Sequence, residues 1–225
     1  MVTVEQALAD AQRKAEDLFA QVVDSGLIRP GVLESELSAE INEIARQRFG
    51  VRRHWHKRVV RCGPNTVLSY HNDPPDRRTT EDDVVYLDFG PLFEKWEADF
   101  GRTYVIGHDP LKHKLVADIE AAFTRGKQRY MEDSQLTAGG LYDHVCDLAR
   151  QSGWEFAAPT AGHLVGYFPH ETAPGESKPF SIRHGNPINL REPDANGARR
   201  HWILEIHFCN QARTFGGFCE ELLTI

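Results

Sequence analysis

Acidic residues interrupt the most apolar segments of this 225-residue chain. Three segments rich in β-branched and aromatic residues predict buried strands: VVYLDF (84–89), WILEIHF (202–208) and FCEELLTI (218–225). Burying a carboxylate in such a strand is costly unless a partner compensates its charge. We therefore expect Asp88, Glu205 and Glu220 to meet a cation. Taken singly, each acid could instead face solvent, which is the interpretation we favour for Glu221 and His207.

A second aspartate follows Asp88 along the chain. The segment EADFGRTYVI (97–106) has a strand pattern, and the glycine–proline pair before it predicts a turn. Asp88 and Asp99 are then expected on neighbouring strands, where two facing carboxylates need a strong cation. The alternative is an ordinary hairpin that carries Asp99 and Arg102 on its surface.

The segment GHLVGYFPHE (162–171) contains two histidines. Glycines beside His163 let the backbone pass close to a bulky group, and Pro169 fixes the chain before His170. One histidine could bind a metal ion while the other donates a hydrogen bond. Considered separately, each histidine is more readily interpreted as a hydrogen-bonded core residue than as a ligand.

The order of these fragments resembles that of the pita-bread metallopeptidase family, which includes methionine aminopeptidase, aminopeptidase P, prolidase and creatinase. In that family the metal ligands run Asp, Asp, His, Glu, Glu, and the interval between the two aspartates matches the interval here. A GHxxG motif followed by a His-Glu pair is also shared, and His71 occupies the place of a further family histidine. The matching ligands are Asp88, Asp99, His163, Glu205 and Glu220.

The resemblance implies a centre for two divalent metal ions. Asp99 and Glu220 would bridge both ions, Asp88 would hold one, and His163 and Glu205 would hold the other. A water molecule shared by the ions would attack a carbonyl carbon. An oxygen-rich ligand set favours manganese, cobalt or iron over a thiolate-bound zinc ion.

Three residues would act on the substrate according to the same resemblance. Glu205 would carry a proton from the water to the leaving nitrogen, while His71 and His170 would donate hydrogen bonds. The implied activity is that of an aminopeptidase, with the Xaa-Pro type favoured over the methionine type. Two departures bear on the substrate: His207 stands near Glu205 where relatives usually have a Glu-Pro pair, and Phe218 replaces an arginine common in prolidases.

Two other functions stay open. Family members also act on small non-peptide C–N or C–S substrates, so a hydrolase or lyase of that kind is the main alternative. A non-catalytic binding module on the same fold is the second, although it would be expected to have lost ligands. The predicted partner is a peptide or small amide, and the family allows for a homodimer.

The implied fold is the α+β pita-bread fold, in which two pseudo-symmetric halves of helix pairs pack outside a curved antiparallel sheet. Helical periodicity and strand patterns fit two such halves. We expect residues 1–225 to form one catalytic domain, with the helix pair of residues 1–50 integral to it. The predicted helices cover residues 4–24, 33–49, 111–130 and 141–152, and a strand is predicted over 59–69.

Composition and charge exclude several functions. The formal net charge is −7, and the short VRRHWHKR stretch (51–58) is the main basic segment, so nucleic acid is not an expected partner. No apolar run is long enough for a membrane span, and four widely spaced cysteines without a secretory signal predict reduced thiols in a cytoplasmic protein. We expect His54 and His56 on a solvated strand edge with no acid beside them.

One long segment has no regular pattern. Residues 172–198 are rich in proline, glycine and asparagine, which predicts a loop over or beside the site. His184 within it could contact the substrate, but an exposed histidine is the interpretation we favour.

Overall fold

Four α-helices lie against a seven-stranded antiparallel sheet in this computed structural model, which describes residues 2–169 and 180–225. The helices are α1 (Val4–Asp24), α2 (Glu34–Phe49), α3 (Pro110–Glu132) and α4 (Ala138–Ser152). The strands are β1 (Val59–Cys62), β2 (Asp83–Phe89), β3 (Leu92–Phe93), β4 (Trp96–Glu97), β5 (Phe100–Ile106), β6 (Glu155–Phe156), β7 (Leu164–Val165), β8 (His201–Cys209) and β9 (Gly216–Leu222). Strands β3 and β4 form a separate hairpin, and the other strands form the sheet.

Local sequence signals set the ends of the helices. Thr3 begins α1 with a capping box, because its side chain accepts from the Gln6 amide while the Gln6 side chain accepts in return. Thr137 accepts from the Gly140 amide at the start of α4. Helix α4 ends at Gly153, whose φ of 88° places it in the left-handed region that favours glycine. All four helices lie within a few residues of their predicted ranges.

The sheet consists of two halves that meet at its centre. Its strand order is β1-β2-β5-β9-β8-β6, and β7 also pairs with β8. Helices α1 and α2 share one buried core with β1, β2 and β5, and α3 and α4 share another with β8. Each fully buried leucine, isoleucine or phenylalanine side chain in these cores contributes roughly 1.5–3 kcal/mol. Two helix pairs on one antiparallel sheet are the arrangement expected from the sequence.

Side chains alternate along the strands and give the sheet two faces. One face is covered by the helices, and the other, the site face, carries the candidate site. The residues that belong to the helix-covered cores are Val85, Leu87 and Phe89 on β2 and Leu204, Ile206 and Phe208 on β8. Successive side chains of a strand point to opposite faces. Asp88 and Glu205 therefore point away from the helices, on the face where the two halves of the sheet share a cavity.

Two predicted strands are shorter than expected. The strand predicted over 59–69 ends at Cys62, because Gly63 adopts a φ of 52° and Pro64 has no amide hydrogen, and residues Gly63–Val67 form a 3₁₀ turn. The strand predicted over 97–106 is divided. Glu97 belongs to the β3–β4 hairpin, and Asp99 lies just before β5.

The described part of the predicted loop, residues 180–198, contains neither a helix nor a strand. It is held to the rest of the protein by buried side chains and backbone hydrogen bonds. Ile182, Ile188 and Leu190 are buried in the core beneath α3 and α4. The Ile182 carbonyl accepts from the Ala161 amide at 2.7 Å, which ties the loop to the segment before His163. His184 is exposed, and its Nδ1 lies 2.7 Å from the Asp143 carboxylate.

Two further predictions from the sequence concern membrane spans and the state of the cysteines. None of the helices in residues 2–169 and 180–225 is both long and apolar enough to cross a bilayer. All four cysteines are free thiols, and three of them are buried.

Candidate metal centre

One row of paired residues runs across the site face of the sheet. Strand pairing places Asp88 beside Gly101, Gly101 beside Glu220, and Glu220 beside Glu205. Directly paired residues of antiparallel strands point to the same face. The three predicted acidic ligands on strands β2, β9 and β8 therefore lie on one line, and Gly101, which has no side chain, leaves the middle of that line open.

Asp99 lies beside this row and is 4% exposed. The turn before it is fixed from both sides, because the Ala98 amide donates to the Pro91 carbonyl and the Glu97 amide donates to the Gly166 carbonyl, each at 3.1 Å. These bonds bring the second half of the chain to Asp99. The alternative interpretation, an ordinary hairpin with Asp99 on its surface, is wrong for this residue.

His163 contacts the carboxylates from the β7 side. Gly162 precedes it with a φ of 137°, and a Cβ atom at Gly162 would lie 2.1 Å from the Ile203 carbonyl oxygen, so only glycine fits there. The Nε2 atom of His163 lies 3.2 Å from Asp99 Oδ2, 3.4 Å from Glu205 Oε1 and 3.8 Å from Glu220 Oε1. All five predicted ligands thus converge.

His56 joins the same cluster, which corrects the expectation of a solvated strand edge without acids. Its Nε2 atom lies 3.0 Å from Asp99 Oδ1 and 3.6 Å from Asp88 Oδ1, and its side chain is 9% exposed. His54, two residues earlier, packs its ring against Phe89 instead. The chain bends at residues 55–56, so simple alternation does not hold and the two histidines enter different environments.

Charges shift the pKa values of the clustered groups strongly in the absence of metal. Burial opposes protonation of His56, but Asp99 and Asp88 raise its pKa to about 9. Burial also opposes protonation of His163, yet Asp99 and Glu205 raise its pKa to about 9. Each histidine then carries a proton at pH 7 and neutralises part of the acidic charge.

The carboxylates respond in opposite directions. Burial raises the pKa of Asp88 to about 7, and burial with three neighbouring carboxylates raises the pKa of Glu220 well above its usual value. Burial raises the pKa of Glu205 as well. Burial works against the charge of Asp99 too, but the two histidines hold its pKa well below the usual value. The charged form is therefore favoured more strongly for Asp99 than for the other three carboxyl groups.

The donor atoms form two sets, each with the composition of a metal site. Two sets of three side chains each have one donor atom per residue, all within 4.8 Å of one another: His56, Asp88 and Asp99, and Asp99, His163 and Glu220. Asp99 belongs to both sets. The buried Asp88 Oδ1 accepts no hydrogen bond from any of the described residues, so a strong acceptor is left for a cation.

A cavity of about 350 Å³ opens beside the ligands. Tyr86, Phe218 and His207 form one wall: the Tyr86 and Phe218 ring centroids lie 5.5 Å apart, and the Phe218 and His207 centroids 5.9 Å apart. His71, predicted to act on the substrate, is exposed on the cavity wall and packs against Tyr70 at 5.5 Å. His170 lies outside the described residues.

Two minor expectations about β8 and β9 turn out differently. His207 is buried rather than solvent-facing: its Nε2 donates to the Thr66 carbonyl at 2.7 Å, and burial lowers its pKa to about 4. Glu221 is partly buried and pairs with the guanidinium of Arg102. The 3₁₀ turn that covers His207 could not be foreseen from the alternation of the strand alone.

The sequence of this chain is similar to those of known proteins. The profile of metallopeptidase family M24 matches residues 6–195. An Xaa-Pro dipeptidase from Lactobacillus helveticus is 24% identical over 181 residues, which make up 79% of this chain and 46% of that protein. The chain thus spans about half the length of the curated relatives it matches.

Solved structures share the fold. A prolidase from Thermococcus sibiricus superimposes with a TM-score of 0.77 at 21% identity, covering 99% of this chain and 59% of the prolidase chain. A methionine aminopeptidase from Rickettsia prowazekii superimposes with a TM-score of 0.72 at 15% identity, covering 100% of both chains. The expected pita-bread fold is therefore confirmed.

Proposed function

Because the chain belongs to metallopeptidase family M24, we propose that it is a dinuclear metal-dependent hydrolase, and specifically an aminopeptidase that favours Xaa-Pro substrates. The family confirms the resemblance drawn from the order of the ligands. One observation carries the proposal of two ions: Asp99 is a member of two sets of donors, with Asp88 on one side and with His163 and Glu220 on the other.

The proposed ligands are the residues predicted from the sequence: Asp88, Asp99, His163, Glu205 and Glu220. Divalent ions bound to them would supply Lewis-acid chemistry, which polarises a carbonyl group and makes water nucleophilic near neutral pH. Manganese, cobalt or iron fits the donor set. The remaining steps belong to the protein's own side chains.

Glu205 is the proposed proton carrier between the attacking water and the leaving nitrogen. Its side chain is 17% exposed, the largest exposure of the four clustered carboxylates, so it can reach a substrate in the cavity. A carboxylate can accept a proton from water and release it to a leaving nitrogen. His71 on the cavity wall and His170 are the proposed hydrogen-bond donors to the developing oxyanion.

The lining of the cavity favours a substrate with a small apolar residue next to the scissile bond. The wall of Tyr86 and Phe218 offers ring faces to a substrate, and aromatic faces suit a flat or cyclic apolar group such as the proline ring. The relative from L. helveticus is named an Xaa-Pro dipeptidase, which agrees with this preference.

The test is a screen of the metal-reconstituted protein against Xaa-Pro dipeptides, longer Xaa-Pro peptides, Met-Xaa peptides and small amides. We expect release of the residue before proline, with Asp99→Asn as an inactive blank. Hydrolysis of small amides alone would favour the non-peptide alternative, and equal rates in the blank would indicate a contaminant. We propose that residues 1–225 act as one catalytic unit; the cytoplasmic location and the homodimer stay predictions from the sequence.

A further inference from the structure

The geometry points to His56 as a sixth protein ligand of the metal centre. We propose that its Nε2 atom binds the ion held by Asp88 and Asp99, while His163 binds the second ion. This inference rests on the proposed dinuclear centre and assigns a role to a residue outside the five ligands predicted from the sequence.

The spacing of the donor atoms is that of ligands around one ion. Two ligands that each lie about 2.1 Å from a shared ion are roughly 3–3.5 Å apart. His56 Nε2 lies 3.0 Å from Asp99 Oδ1 and 3.6 Å from Asp88 Oδ1. The corresponding distance on the other side, between His163 Nε2 and Asp99 Oδ2, is 3.2 Å. The two histidines therefore take equivalent places on opposite sides of Asp99.

Hydrogen bonding determines which ring nitrogen of His56 has a lone pair available for a metal ion. The Nδ1 atom lies 2.7 Å from the Lys57 carbonyl oxygen, which can only accept, so Nδ1 carries the hydrogen. In the neutral ring, Nε2 then presents its lone pair to Asp88 and Asp99. His163 has the same arrangement, with Nδ1 2.7 Å from the Leu164 carbonyl oxygen. A backbone carbonyl that orients a ligand imidazole in this way is typical of metal sites.

The backbone around His56 holds the ring in place. The Trp55 amide donates to the Gly90 carbonyl at 2.9 Å, and the Trp55 indole donates to the Ala98 carbonyl at 3.0 Å. A Cβ atom at Gly90 would lie 2.1 Å from Cδ2 of His56, so the absence of a side chain at Gly90 makes room for the ring. The position is therefore built before any ion arrives, which lowers the entropic cost of binding.

The buried acceptor beside His56 also calls for a cation. Asp88 Oδ1 accepts no hydrogen bond from the part of the chain that the structure describes, and His56 Nε2 is the nitrogen that flanks it. An ion between these atoms would satisfy both. The competing explanation is that His56 only balances the charge of the two aspartates and never touches the ion.

X-ray absorption spectroscopy of the wild-type protein loaded with two cobalt ions separates these explanations. Scattering from imidazole rings counts the histidines bound to metal. We expect two histidines per pair of ions, whereas a single histidine would overturn the assignment of His56. Because this measurement uses the wild-type chain, it does not depend on how a variant folds.

Variants provide the second test, by calorimetric titration of the metal-stripped full chain with Co²⁺. We expect His56→Ala to weaken one of the two binding events at least tenfold and to leave the other near its wild-type affinity. The control is His54→Gln, in the same segment but against Phe89. Wild-type affinities in His56→Ala would contradict the inference alone, whereas a wild-type protein that binds no ion would contradict the proposed function itself.

Discussion

Glu205 on β8 and Glu220 on β9 are directly paired residues of adjacent antiparallel strands. Like charges in this relationship destabilise a sheet. Asp88 extends the same row beyond Gly101. The sheet therefore contains an internal repulsion that only protons or cations can relieve, and this repulsion has consequences for stability that can be measured without any substrate.

Replacing Glu220 by glutamine should stabilise the metal-free protein. Burial and neighbouring carboxylates raise the pKa of Glu220 well above its usual value, so folding at pH 7 forces the group to take up a proton that the unfolded chain does not hold. Glutamine removes that cost at nearly constant volume. We expect the free energy of unfolding to rise by about 1–3 kcal/mol in urea denaturation of the metal-stripped protein.

The neighbouring Glu221 provides the control for this prediction. Its carboxylate pairs with Arg102, so Glu221→Gln should leave stability unchanged or lower it by about 1 kcal/mol at most. In the presence of saturating metal the order should reverse, because glutamine has a single oxygen and at position 220 could no longer hold both proposed ions, whereas Glu221→Gln changes no proposed ligand. Equal effects of the two substitutions would show that the repulsion at Glu220 is not significant.

The stability of the metal-free protein should fall as the pH rises from 6.5 to 9. The pKa values of His56 and His163 are raised to about 9 from an unfolded value near 6.5, so their contribution is complete below pH 6.5 and is lost as the pH passes 9. Asp88 adds to the fall at lower pH, since its pKa is raised to about 7 and its contribution is lost as the pH rises through that value.

Urea denaturation at pH 6 and pH 9.5 measures this effect. A rise in the pKa of one histidine from 6.5 to about 9 corresponds to roughly 3 kcal/mol, and we expect a decrease of that order. Metal-saturated protein is the control, because ions replace the protons and should abolish the decrease. A metal-free protein that becomes more stable between these pH values would contradict the proposed charge state of the cluster.

The sequence predicts the acidic row well because the physics is local. A carboxylate inside an apolar run must be compensated, and the alternation of a strand fixes the face on which it lies. Asp88, Glu205 and Glu220 could each be placed by these two rules. Asp99 required the interval from Asp88 in addition, since its own surroundings are compatible with a surface hairpin.

His56 could not be placed by such rules, because its position depends on a long-range backbone pairing. The segment of residues 53–56 runs beside residues 90–92, and the Leu92 amide donates to the Arg53 carbonyl at 3.0 Å. Nothing in the composition of VRRHWHKR selects that partner over solvent. The one local signal is Gly90 directly after an apolar strand, which indicates a close approach without identifying what approaches.

Glu205→Gln should separate catalysis from folding. Glutamine keeps the volume and can still offer an oxygen to a metal ion, but it cannot carry a proton between water and the leaving nitrogen. We expect kcat on an Xaa-Pro substrate to fall by at least about a thousandfold, near the upper part of the range for losing a general acid–base group. Thermal unfolding and bound metal, measured on the same metal-saturated samples, should change little. Retention of more than a tenth of the wild-type kcat would remove Glu205 from this role.

Phe218 is expected to set the fit of the substrate rather than the chemistry. It lies two residues before Glu220 on the same face of β9, and its ring contacts Tyr86 and His207 on the cavity wall. Phe218→Leu removes an aromatic face that a proline ring would contact, and one such contact contributes about 0.5–1.5 kcal/mol. We therefore expect KM for Xaa-Pro dipeptides to rise about three- to tenfold with little change in kcat or metal content. Phe215→Leu is the matched control, because Phe215 packs against Trp154 away from the cavity and should leave KM unaltered. A fall in kcat with unchanged KM would instead place Phe218 among the residues that support the reacting groups.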